Sequence, residues 1–213
     1  MDAKNIRNVD ISKIFIYFGI VIFIISSIDL IDITLPLRLA SPEWLFGTTQ
    51  NIIASVLAPA LSLVLVLTGL YFITNSSTNK KLLGFEKTIG LISFIFGFIL
   101  ILNLLVYSLS MKAYETSVLS SVKLQKETTL DKLNRLKNTP ELNISEELYN
   151  KKVAELNNAE TQQIKIVKNG LFKKNVKIII ELLLYIGLYL GIGKISFDSS
   201  KTNLLKLKFN NNN

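Results

Sequence analysis

Apolar residues in this chain gather into four runs, at 13–31, 54–74, 88–109 and 176–195. Each is close to the roughly 20 residues that an α-helix needs to cross a bilayer core of about 30 Å. Hydrocarbon offers no partner to an unpaired backbone N–H or C=O, so helix is the only structure such runs can adopt there. The total matters less than the clustering: at 49% hydrophobic, the chain is no more apolar than many soluble domains. Spacing alone therefore predicts an all-α integral membrane protein with four transmembrane helices.

Composition removes several chemistries. With no cysteine and no histidine, disulfides, thiolate nucleophiles, imidazole acid–base catalysis and the usual zinc sites are excluded. No Gly-rich phosphate loop and no spaced carboxylate cluster suggests an enzyme, and no cofactor or metal is expected. The net charge of +8 flanks the apolar runs and alternates with acids. Anionic lipid headgroups account for it, and nucleic acid is not expected as a partner. The run from Lys13 to Ile31 is too long for a signal-peptide core and lacks a small-x-small cleavage site, so it reads as a retained span.

Basic residues set the expected sidedness. Lys4, Arg7 and Lys13 precede the first span, and Lys80, Lys81 and Lys87 lie between the second and third. The first connection has Arg38 against Asp32 and Glu43. The positive-inside rule then places the N-terminus (1–12) and the basic loop (75–87) in the cytoplasm or stroma, and the loop at 32–53 outside. The tail (196–213), with Lys201, Lys206 and Lys208, returns inside, its KFNNNN end reading as disordered. Residues 110–175 fall outside despite their lysines, since segments of about 60 residues translocate with little regard to charge. In the runner-up topology one run does not span and this segment stays inside.

Between the third and fourth spans, 110–175 reads as an extramembrane helical hairpin. Val118, Val122, Thr129, Leu133 and Leu136 form one thin stripe, and Leu148, Leu156, Ala159, Val167 and Leu171 a second. Pro140 and the Asn143/Glu146 capping-box spacing mark the turn. The pair would pack as a short coiled coil. A mobile charged helix pair is the alternative.

Polar residues inside a span need a reason. Glu181, within the fourth run, is a candidate ion- or proton-handling carboxylate, and Lys177 one turn away offers a simpler role as its partner. Asn103 in the third run suits a hydrogen bond to another helix. Asp29 and Asp32, three apart, mark the outer end of the first span and are weighed as a cation pair. Small residues one turn apart, Ser93 with Gly97 and Gly187 with Gly191, are candidate helix-packing positions, within the bundle or toward a partner. Pro59 and Ser62 predict a kink in the second span, the freed carbonyl being met by a neighbour or hydroxyl.

The loop before that span carries the only tryptophan. Ser41 suits a helix N-cap, Pro42 the first helical position and Glu43 the positive end of the helix dipole. Trp44, Leu45 and Phe46 then predict a short helix over 42–52 lying along the membrane interface, where tryptophan anchors. The run SPEWLFGTTQNIIASVLAPALSLVLVLTGLYF resembles a segment of the HpsJ-like membrane proteins of cyanobacteria. The resemblance rests on Pro42, Glu43, Trp44, Pro59 and Gly69, and Ala60-Leu61-Ser62 stands where the family has a Leu-Gly pair. Beyond this run only the layout matches. Membership would imply a role in exopolysaccharide production or export, and an inner membrane (plasma or thylakoid) of a cyanobacterium or a plastid membrane. An Ile-, Lys- and Asn-rich composition suits an AT-rich genome of either kind.

The expected function is that of a non-enzymatic multi-pass accessory or scaffold protein. Its partners would be membrane lipid and other membrane subunits, reached through the spans and the 110–175 hairpin. The alternatives are a small transporter or channel component using Glu181 and Asn103, and an auxiliary subunit of a photosynthetic membrane complex.

Overall fold

The structure, a computed structural model, describes the backbone of residues 3–36, 38, 41–76, 80–139 and 145–210. Among these residues it is all-helical: α1 (Ala3–Thr34), α2 (Pro42–Ser55), α3 (Leu57–Ser76), α4 (Lys80–Lys137) and α5 (Glu146–Asn210). Four stretches are long and apolar enough to cross a membrane, in α1, in α2 with α3, in α4 and in α5.

Several boundaries differ from the sequence reading. The basic loop at 75–87 is already helix from Lys80, because the Leu, Phe and Ile that follow continue the helical pattern through Gly84. In the tail, α5 continues to Asn210, so the expected disorder of the KFNNNN end does not hold for 208–210, and 211–213 lie outside the described residues. Within the second span, which runs from Pro42 to Thr74, the helix is interrupted beside Pro59. The proline is the third residue of α3, in a first turn where a missing N–H costs least, and the break falls before it at Val56. At the start of α5, Ser145 accepts from the Leu148 N–H at 3.3 Å and is the capping residue seen. Pro140 and Asn143 lie outside the described residues.

The chain divides into two compact units, Met1–Tyr107 with Ile178–Asn213, and Ser108–Lys177. In the first, α1 packs against α3 through reciprocal notches. A Cβ on Gly19 would lie 2.8 Å from the Ser62 carbonyl, and one on Gly69 would lie 2.7 Å from the Ser12 carbonyl. The pairs run in opposite directions along the two helices, so α1 and α3 are antiparallel. On the other seam, α4 meets α5: Gly90 faces the Phe197 ring, Gly97 faces Leu190, and Gly193 faces Phe94. Missing side chains bring backbones close, which raises van der Waals contact where no water is expelled.

Aromatic contacts join the two seams. Phe96 of α4 lies edge-on to Phe23 of α1 at 5.7 Å and stacks on Tyr189 of α5 at 5.3 Å. Phe46 of α2 stacks on Tyr107 of α4 at 5.5 Å. These separations lie in the favourable range for ring pairs. Outward faces are apolar as well: Ile14, Phe18, Ile25, Leu91, Phe98 and Leu184 are all exposed.

The second unit has a different character. Here α4 and α5 segments touch through Lys126 and Glu160, paired at 2.8 Å, and through the Tyr149 hydroxyl, which donates to Asn134 at 2.6 Å. Lys137 sits 4.3 Å from the Tyr149 ring centre. One partner number rises as the other falls, which is antiparallel register. Val122 is buried, Leu133 and Leu156 are half-buried, and Leu136 and Leu148 are exposed, so the apolar seam is narrow.

The notches give a direct test. Gly69→Leu should destabilise the protein by about 2 kcal/mol or more through overpacking against backbone. Gly187→Ala should have little effect, because nothing lies within 4 Å of that position. Unfolding in mixed detergent, followed by circular dichroism, measures both.

Candidate functional site

The most developed polar site lies where the start of α4 meets the end of α5. Leu83, Glu86 and Gly90 recur on one face of α4, and Ser196, Ser200 and Asn203 on one face of α5, each at helical spacing of three or four. Ser200 donates to the Leu83 carbonyl at 3.3 Å, and the Ser196 hydroxyl donates to the Glu86 carbonyl. The Glu86 side chain accepts from Ser199 at 3.2 Å, and from the Asn203 amide at 3.3 and 3.4 Å on its two oxygens. It is 1% exposed, a depth at which a carboxylate is rarely found unless its oxygens are occupied. Beside it opens a cavity of about 620 Å³ between α3, α4 and α5.

Glu86 escaped the sequence reading because residues 75–87 looked like a loop between spans. A signal was present. Glu86, Ser93 and Gly97 share the 3–4 spacing that had already marked Ser93 and Gly97, and the stripe continues unbroken into the loop segment.

A second polar contact closes the break between α2 and α3. The Tyr189 hydroxyl donates to the Val56 carbonyl at 2.9 Å, with the side chain fully buried. At the other end of α2, the Trp44 N–H donates to Ser41 Oγ at 3.2 Å, Pro42 opens the helix, and the Ser41 hydroxyl donates to Glu43 at 3.1 Å. Trp44 is half-buried, while Phe46, Thr48, Thr49, Ile52 and Ile53 are buried, so much of α2 packs inward. Pro59 is buried, and Gly69 serves the α1–α3 notch.

Ser93 is fully buried and Gly97 meets Leu190, so both lie on the α4–α5 seam. Gly187 and Gly191 do not; open space adjoins each, and Gly193 is the α5 glycine that fills the notch. Spacing alone could not separate them, because Gly191 and Gly193 differ by two residues and so by slightly more than a half-turn. Asn103 is half-buried with Oδ1 lacking a hydrogen-bond partner among the described residues, as do Ser93 Oγ, Ser27 Oγ and Gln50 Nε2. With Phe46 stacked on Tyr107, Gln50 and Asn103 each lie one turn along from that pair. Glu181 is half-buried, and Asp29 and Asp32 are exposed. No group of three or more potential metal ligands occurs among the described residues.

The chain matches no protein-family model, no curated protein and no solved structure. Its function must be argued from its own side chains.

Tyr189→Phe removes the side-chain donor to the Val56 carbonyl, which precedes α3 and keeps the first helical N–H as its other donor. It should cost about 1 kcal/mol, read as an earlier unfolding midpoint in detergent with helicity retained.

Proposed function

We propose that this chain is a non-enzymatic, multi-pass membrane protein that serves as an accessory or scaffold subunit in exopolysaccharide production or secretion. One observation supports the membrane setting above all: the contrast between the surfaces of the two units. Around the first, aliphatic and aromatic side chains point outward on successive turns, from Ile14, Phe18 and Ile25 on α1 to Leu91, Ile95, Phe98 and Leu102 on α4. Soluble monomers rarely expose contiguous apolar patches of that extent, whereas lipid is their natural surrounding. The second unit exposes Lys123, Glu127, Asp131, Lys132, Lys151 and Lys152, a surface suited to water.

Residues 108–177 then form a water-exposed helical hairpin, and its charged surface is the docking element for a partner subunit. The cluster that joins Glu86 to Ser199 and Asn203 brings the start of α4 and the end of α5 to one end of the first unit. That arrangement supports a shared side for the 75–87 segment and the tail, cytoplasmic or stromal by the basic residues around them. The polysaccharide context comes from the likeness of residues 41–72 to the HpsJ-like proteins, as does an inner membrane of a cyanobacterium or plastid. A second reading, a small transporter component, is favoured by the cavity beside Glu86.

Two measurements test this. Protease added to sealed, oriented membranes should cleave within 120–170 from the extracytoplasmic side; cleavage only from the cytoplasmic side overturns the orientation. Affinity purification in mild detergent should bring down other membrane subunits at constant stoichiometry. A lone monomer, together with solute flux in liposomes holding this chain only, would replace the scaffold reading by the transporter one.

A further inference from the structure

We propose that the cavity beside Glu86 is a binding site for an organic ammonium carried on an apolar body. This goes beyond the scaffold reading and does not depend on the identity of any partner subunit. The cavity, about 620 Å³, has the size of a small-ligand site. Its lining includes two carboxylates, Glu86 and Asp198, and no basic side chain among the described residues.

Glu86 supplies the decisive feature. Its carboxylate is buried, yet its partners are a hydroxyl and an amide, both neutral. One oxygen receives Ser199 and Asn203, while the other receives only the longer Asn203 contact at 3.4 Å. A carboxylate has about four acceptor positions, more than these contacts fill. With no cationic partner to Glu86 among the described residues, a cation seated in the cavity would offset the cost of burying this carboxylate.

The rest of the lining selects the kind of cation. Hard metal ions require six or more oxygens at close range, whereas Ile192, Ile195 and the Tyr71 ring give this cavity an apolar wall. Apolar surface suits a hydrocarbon or aromatic body, and a tyrosine face attracts an adjacent ammonium. An aminophospholipid headgroup and a soluble amphiphilic amine share this chemistry.

The test uses the full-length chain purified in neutral detergent, with 2-phenylethylammonium as probe and uncharged 2-phenylethanol as control, followed by equilibrium dialysis. Saturable binding of the ammonium and none of the alcohol is expected. Glu86→Gln should weaken binding by at least about tenfold. Should that variant fail to fold, Thr202→Trp, at an exposed cavity-lining position, should abolish binding by filling the space. In nanodiscs, competition by phosphatidylethanolamine but not phosphatidylcholine assigns the site to a lipid headgroup, and competition by neither assigns it to a soluble amine. Equal binding of ammonium and alcohol, no saturable binding, or undiminished affinity in folded Glu86→Gln or Thr202→Trp overturns the proposal.

Discussion

Tyr189 is the side chain on which the first unit converges. Its ring stacks on Phe96, whose own edge contact reaches Phe23 on α1, and its hydroxyl ends on the Val56 carbonyl. A single residue of α5 thereby touches α4 directly, α1 at one remove, and the point where α2 gives way to α3. The last contact ties α5 to the backbone next to Ser55, whose carbonyl is the one that loses a helical partner because Pro59 contributes no N–H. Stacking, a geometry-dependent contact, and a hydrogen bond, a directional one, fix the ring's position together in a way that aliphatic packing would not.

Around that centre the two helix seams are built differently. The α1–α3 seam brings backbone to backbone, with glycine on each side meeting the other helix's carbonyl. Along α4 and α5, glycines instead receive rings and branched side chains: Phe197 over Gly90, Phe94 against Gly193, Leu190 beside Gly97. Past the last of these toward the helix ends, the contact becomes polar, and Ser196, Ser199, Ser200 and Asn203 take over from aromatics. Hydroxyls on α5 thus do at the end of the seam what missing side chains do in its middle. They permit close approach and add direction.

The four apolar runs were legible in the sequence because their length and continuity leave one solution for the backbone. Ser41 as a cap was legible for a similarly local reason, since the preference depends on only a few neighbouring residues. The site at Glu86 was not. Its burial depends on α5 remaining helical past residue 195, a tertiary circumstance that no window around Glu86 contains. Likewise the pair Gly187 and Gly191 looked as suitable for packing as Ser93 and Gly97, and only the rotation of α5 about its axis decides that Gly193 faces α4. Pro59 was legible as an interruption of the second span, because a proline removes the N–H that the carbonyl four residues earlier needs.

The two notches on α1 and α3 also bear on how such a chain can drift over time. Gly19 meets Val66, and Gly69 meets Ile16. Shrinking the opposing branched side chain would not make room for a larger residue, because the Ser62 carbonyl lies 2.8 Å from a Cβ at 19 and the Ser12 carbonyl 2.7 Å from one at 69. Positions 19 and 69 should therefore stay glycine whatever stands at 66 and 16, while 187 and 191 wander independently of the bundle.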